Sequence, residues 1–355
     1  MINLLTTIPT ELIVVLIVLG LMLISFFGLL FLAKKIRNMV FNKRYDDNNT
    51  LKYFYSSDFD NLLTEPIEFT SKGNKIVGHI YKDSTISEYK GVIVFSHGLG
   101  VGHNQYTTEI DHFAKLGFLV VSYDVSGTGK SEGKTIKGLT TALYNLIDAL
   151  EFVESHPLLS NYKKMVVGHS MGAYAANNVT RFNQNLVGVV SMAGFDTPYG
   201  LLSEEIGLIN GTEIKILRKL FKMLEFLEFG KDGLLSSLEA FKNTNIKHLL
   251  VAGSKDNIVD TSKNFEKFKR ELEEKENFEY LLVEDRFHRP NISLQAANYD
   301  QETNMELGRL KTEFKNKIPE NINRKYYDSL DYKLLVELDA EVMSKIDEFI
   351  LGCFK

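Results

Sequence analysis

The chain has 355 residues, 44% hydrophobic and 25% charged, the composition of a globular protein long enough for one large domain with appendages or for two small domains. Its net charge of -5 gives no electrostatic basis for binding nucleic acid. Its single cysteine, Cys353, excludes an internal disulfide and any cysteine-built metal centre, and its eight histidines show no metal-ligand spacing such as HExxH, so no cofactor or metal is expected.

The first element is an uncharged apolar run from Leu12 to Ala33. At about 1.5 Å per residue, a helix of this length covers the roughly 30 Å hydrocarbon core of a bilayer. A cleaved signal peptide would carry basic residues before a shorter apolar stretch. Here Lys34, Lys35, Arg37, Lys43 and Arg44 all come after it. The run predicts a single-pass membrane anchor over residues 1–41, with its C-terminal side, and the domain that follows, in the cytoplasm. Residues 42–64 are polar and aromatic and read as a connector.

From residue 65 to 355, short apolar strands alternate with amphipathic stretches. Ile67–Thr70 and Ile76–Tyr81 predict an antiparallel pair turning at Lys72-Gly73-Asn74. Val92–Phe95, Phe118–Tyr123, Met165–Gly168, Val187–Met192, His248–Ala252 and Tyr280–Val283 predict buried strands. Between them, Ile110–Leu116, Leu139–Glu154, Met171–Thr180 and Lys263–Glu274 carry helical spacing. Uninterrupted apolar strands alternating with helices predict an α/β fold with a mostly parallel sheet covered on both faces. Residues 197–245 interrupt the alternation with mostly helical sequence, including an apolar stripe in Ile214–Phe229 opposite Lys215, Arg218, Lys219 and Lys222. Residues 291–329 read as irregular and polar, and Lys333–Ile350 as one closing amphipathic helix.

The sharpest local signal is Gly168-His169-Ser170-Met171-Gly172, a G-x-S-x-G between a predicted strand and helix. A turn this tight tolerates only small flanking residues, lifts the serine hydroxyl clear of the sheet, and aims a helix N-terminus at it. A serine nucleophile needs a base, and the base an orienting acid, in the chain order serine, acid, histidine for this architecture. Asp256 and His288 follow the two last predicted strands in that order, at the strand ends where open α/β sheets place their sites. Asp260 and Asp285 are the reserve acids, and His248 opens a strand and is badly placed. Ser96-His97-Gly98-Leu99-Gly100 follows another strand, so the backbone amides of Leu99 and Met171 are the candidate oxyanion donors, with His97 holding the loop. The run Asp124 to Ser131 lacks the glycine spacing of a phosphate-binding loop and reads as a structural turn.

Together, Ser96-His97-Gly98, the Tyr123-Asp124 to Ser131 turn, the Ser170 motif, Gly253 to Asp256 and His288 resemble the α/β-hydrolase superfamily, in its serine aminopeptidase S33 and monoacylglycerol-lipase-like branch. The resemblance spans about residues 65–290 and the final helix. It implies a triad of Ser170, Asp256 and His288, an oxyanion hole of Leu99 and Met171, and a cap at 197–245. Ser126 departs from the arginine frequent there, and the anchor and the segment after His288 are additions. The expected activity is hydrolysis of a carboxylic ester, acyl or lipid, through an acyl-enzyme. A thioesterase, acyltransferase or S33-type peptidase would use the same residues, and a silent membrane-bound scaffold is the rival from another class. An Asp-nucleophile dehalogenase or epoxide hydrolase is disfavoured because position 170 is serine.

Overall fold

The computed structural model describes residues 9–48, 50–100, 102–182, 185–210 and 215–355. An eight-stranded sheet runs in the order β1-β2-β4-β3-β5-β6-β7-β8, from β1 (Leu62–Ser71), β2 (Asn74–Asp83), β3 (Val92–Ser96), β4 (Leu119–Tyr123), β5 (Lys164–His169), β6 (Leu186–Met192), β7 (Lys247–Gly253) and β8 (Phe278–Val283). Only the β1–β2 and β2–β4 pairings are antiparallel. The rest are parallel, because each later strand returns through a helix.

The central strands are buried on both faces, which explains their continuous apolar sequence. Alternate residues serve opposite layers. Val92, Val94, Val121 and Val166 meet α3 (Thr140–Ser155) and α4 (Met171–Val179) on one side. Ile93, Phe95, Val120 and Val167 meet α2 (Thr107–Lys115) and the C-terminal helix on the other.

The predicted closing helix Lys333–Ile350 is divided. A short turn, Tyr332–Leu335, precedes a separate helix, Ala340–Phe354, begun by the side chain of Asp339 accepting from the amides of Glu341 and Val342. Asp339 also binds Arg286 at 2.5 Å, and its amide donates to the Asn291 carbonyl, so tertiary pairing starts a new helix there. The preceding segment is not irregular. It holds helices Leu294–Glu313 and Glu320–Asp328, whose polar sequence hides the period because neither buries a wide apolar face.

Helices α5 (Pro198–Asn210), α6 (Lys215–Phe229) and α7 (Ser237–Lys242) occupy the interval between β6 and β7. The N-terminal helix α1 (Thr10–Phe41) is long and apolar enough to cross a membrane. Its residues 10–32 are exposed except for half-buried Gly20 and Leu30, whereas Ala33, Arg37 and Phe41 are buried against the domain. Arg37 Nε meets Glu225 of α6 at 2.6 Å, and Arg37 Nη2 donates to the Lys137 carbonyl. The residues after α1 are packed: Tyr45 exchanges backbone hydrogen bonds with Gly127 and Gly129, and the Arg44 guanidinium donates to the carbonyls of Ser131, Gly133 and Gly129.

Candidate active site

Strand β5 ends at His169, and Ser170 follows with φ 55° and ψ -113°, a left-handed setting that costs a non-glycine residue roughly 1–3 kcal/mol. The turn closes because its flanks lack side chains. A Cβ on Gly168 would lie 2.3 Å from the Gly172 carbonyl oxygen, and one on Gly172 only 1.9 Å from that of Ser96. The Ser170 amide donates to Met192 at 2.8 Å, tying the turn to β6.

Three side chains from three loops form one hydrogen-bonded row. His288 Nε2 lies 2.9 Å from Ser170 Oγ. His288 Nδ1 lies 3.0 and 3.1 Å from the two carboxylate oxygens of Asp256. Asp256 Oδ1 also accepts from the amides of Ile258 and Val259, both at 2.9 Å. Burial works against its charge, but the His288 contact and these amides outweigh it and hold its carboxyl below the ordinary range. The carboxylate therefore faces Nδ1–H and leaves Nε2 to accept from the serine hydroxyl. The reserve acids lie elsewhere: Asp260 accepts from the amides of Ser262 and Lys263, and Asp285 pairs with Lys255 on the surface. His248 is buried, with Nδ1–H donating to Ile246.

The amides of Leu99 and Met171 donate to no protein acceptor among the described residues. The loop carrying Leu99 is secured by His97, whose Nδ1–H donates to the Gly98 carbonyl while its Nε2 accepts from the Val125 amide. Both ring nitrogens are thereby engaged. In the Asp124–Ser131 turn, Asp124 accepts from the amides of His103 and Lys130 and from the His103 ring. Despite burial, these contacts hold its carboxyl well below the usual range.

A second row was invisible in the sequence. The Gly98 amide donates to Tyr106 Oη at 3.1 Å, Tyr106 donates to His169 Nδ1 at 2.8 Å, and His169 Nε2–H donates to the His288 carbonyl at 2.8 Å. Burial, reinforced by the neighbouring His288, pushes the His169 imidazole down to about 3, so it stays neutral and keeps this donor–acceptor polarity. Arg289, next in chain to His288, pairs at 3.1 Å with the buried Glu109, which also accepts from Asn291. These contacts couple the Leu99 and His288 loops. His169, the variable second residue of G-x-S-x-G, carries no sequence signal for such a role. Glu205 of α5 is a further unforeseen neighbour. Burial raises its carboxyl pKa while the charge of His288 opposes the rise.

A parallel sheet in this order, with a serine on a strained strand-to-helix turn, decides the architecture. The chain has the α/β-hydrolase fold. Residues 87–226 of this hydrolase fold match the family described as serine aminopeptidase, S33. No curated protein matches the chain in sequence. Among solved structures, it is similar to an esterase of Pyrococcus furiosus at 16% identity and a TM-score of 0.55, over 76% of this chain and 98% of that one. It is also similar to an α/β-hydrolase of a Penicillium species at 15% identity and a TM-score of 0.50, over 70% and 98% of the two chains. A Butyrivibrio proteoclasticus protein solved with ferulic acid gives 13% and 0.50, over 62% and 90%. At these identities the neighbours establish the fold, and the family match adds a likeness to that hydrolase family over residues 87–226, which include the serine motif.

Proposed function

We propose that the chain is a serine hydrolase acting on carboxylic esters of acyl or lipid type, held at a membrane by α1. The observation that carries this reading is the unbroken row Ser170–His288–Asp256 with contacts of 2.9 and 3.0 Å. His288 Nε2 takes the proton of Ser170 as Oγ bonds to the acyl carbon, and the same proton then passes to the leaving alcohol. Water repeats the sequence on the acyl-enzyme: His288 takes its proton, the hydroxyl adds to the acyl carbon, and the proton returns to Ser170 Oγ as the carboxylic acid departs. Asp256 holds the imidazole and stabilises its charged form, while the amides of Leu99 and Met171 receive the oxyanion.

In this reading residues 1–41 are the anchor, 42–64 the connector, 197–245 the cap, and the domain lies on the cytoplasmic side. The apolar exposure of residues 10–32 supports the anchor, because water gives such a surface no favourable contact. Acyl transfer to water favours an ester or thioester equally in geometry. Amide cleavage beside a free amine is a second reading, favoured by one observation: the half-buried carboxyl of Glu205, which lies within electrostatic reach of His288.

A fluorophosphonate probe tests the core of the proposal. The wild type is expected to be labelled and Ser170→Ala to be blank, and equal labelling of both would end it. Turnover of p-nitrophenyl butyrate but not of an amino-acid p-nitroanilide is expected, and the reverse preference would favour the amine reading. No turnover of any such substrate would favour the silent scaffold.

A further inference from the structure

A cleft of about 480 Å³ lies apart from the Ser170 row, in the size range of small-ligand sites. Lys72, Lys134 and Lys137 line it, with Asn74, Ser126 and Tyr144 among its polar walls. Among the described residues none of these three lysines has a carboxylate partner within 4 Å. The Lys72 ammonium instead lies over the Tyr144 ring at 4.4 Å, and Tyr144 donates to Asp232. Glu228 is the one acidic residue in the lining, so the cleft carries a net positive charge.

Two of these cations occupy backbone positions that suit glycine. Lys72 has φ 46° in the two-residue β1–β2 turn, where Asn-Gly is the usual choice, and Lys137 has φ 61°. A lysine kept at a left-handed position directs a charge into the cleft at a cost in backbone strain, the pattern of a functional site.

The cleft adjoins the end of α1. The Lys137 amide donates to the Phe41 carbonyl, and Arg37 Nη2 to that of Lys137. Phe229, in the cleft wall, fills the space where a Gly138 side chain would stand. The apolar run ends at Ala33, four residues or roughly 6 Å before Arg37, with Lys34 and Lys35 exposed between them. A bilayer around residues 10–32 would therefore bring its phosphate layer to the level of the cleft. On α6 the exposed face mixes Lys215, Lys219 and Lys222 with Ile216, Phe226 and Leu227, as at a lipid interface.

We propose that this cleft binds the phosphate of an anionic phospholipid head group, fixing the domain's orientation on the membrane. This rests on the reading of α1 as an anchor. Coulombic attraction to three ammonium groups supplies the selectivity, and the adjacent hydroxyl and amide groups supply hydrogen bonds.

The test uses the full chain in detergent, mixed with equal phosphatidylglycerol and phosphatidylcholine and read by native mass spectrometry. The wild type is expected to retain phosphatidylglycerol by roughly fivefold or more over phosphatidylcholine. Lys72→Gln/Lys134→Gln/Lys137→Gln should abolish the preference while keeping fluorophosphonate labelling. Lys134→Gln alone, which leaves both strained positions untouched, should reduce it. Lys215→Gln/Lys219→Gln/Lys222→Gln should preserve it. No preference in the wild type, or a preference unchanged in the cleft variants, overturns the proposal. So does thermal stabilisation by inorganic phosphate without lipid preference, which would assign the cleft to a free anion. Recovery of the full chain in the soluble fraction without detergent would instead overturn the anchor, a result separable from the lipid measurement.

Discussion

Of the ionic pairs that join distant parts of this chain, two serve opposite ends. His288–Asp256 lies at the strand ends, with the imidazole 16% exposed and the carboxylate 2%. Arg37–Glu225 joins α1 to α6, with side chains 7% and 0% exposed. In the first pair the cation can release a proton, and its second nitrogen faces a hydroxyl. In the second, a guanidinium keeps its proton at any working pH, and its remaining hydrogen bond is spent on a carbonyl. A titratable member with one open edge suits chemistry; a permanent charge enclosed on all sides fastens two elements. The fastening is imperfect, since Glu225 Oε2 has no partner among the described residues and burial pushes the Glu225 carboxyl upward against the pull of Arg37.

The largest effect expected is on the open pair. His288→Ala should lower kcat/KM for p-nitrophenyl esters by at least about 10³-fold with little change in thermal midpoint. A loss under tenfold would show that the pair is not the proton carrier. On the closed pair the balance should invert. Arg37→Ala leaves a buried carboxylate uncompensated and should remove about 3–5 kcal/mol of stability, with fluorophosphonate labelling of the folded fraction retained. The double change Arg37→Met/Glu225→Met should recover most of that loss. If the single variant unfolds no more easily than the wild type, the α1–α6 contact is not a fastening.

Acid should separate the regions further. His79 and His248 are held neutral by burial, at about 4. An imidazole whose folded pKa lies below its unfolded one stabilises fully above the unfolded value. That contribution is lost as pH falls from about 6.5 toward the folded value. Stability measured by chemical denaturation should therefore decline between about pH 6.5 and 4, and His248→Phe should flatten the decline. An unchanged slope in that variant would remove His248 from the account. The smallest effect expected is from Tyr106→Phe, which breaks the Gly98–Tyr106–His169 link. It should cost about 0.5–1.5 kcal/mol in stability and a severalfold drop in kcat, with KM nearly unchanged. A rise in KM alone would place Tyr106 in substrate binding.

How far the fold could be read in advance depended on burial. Strands β3, β4 and β5 are covered on both faces, so each carries an uninterrupted apolar run, Val92–Phe95, Leu119–Val121 and Met165–Val167, and the pattern is unmistakable. Helices such as Leu294–Glu313 bury only three residues, and no pattern marks them. The Ser170 turn was legible because steric exclusion acts between near neighbours, Gly168 and Gly172. The His169–Tyr106 link was not, because 63 residues separate the partners and either could have faced elsewhere.

Local chemistry in the sequence determined the apolar span of α1, the β/α alternation, the strained serine turn and the placement of Ser170, Asp256 and His288 after strands β5, β7 and β8. Those features depend on contacts within a few residues or on simple periodicity. Only the tertiary structure decided that Arg37 would find Glu225, that Asp339 would start a new helix beside Arg286, and that Lys72, Lys134 and Lys137 would share one cleft. Each of those pairs elements far apart in the chain, and their meeting is set by how the layers stack.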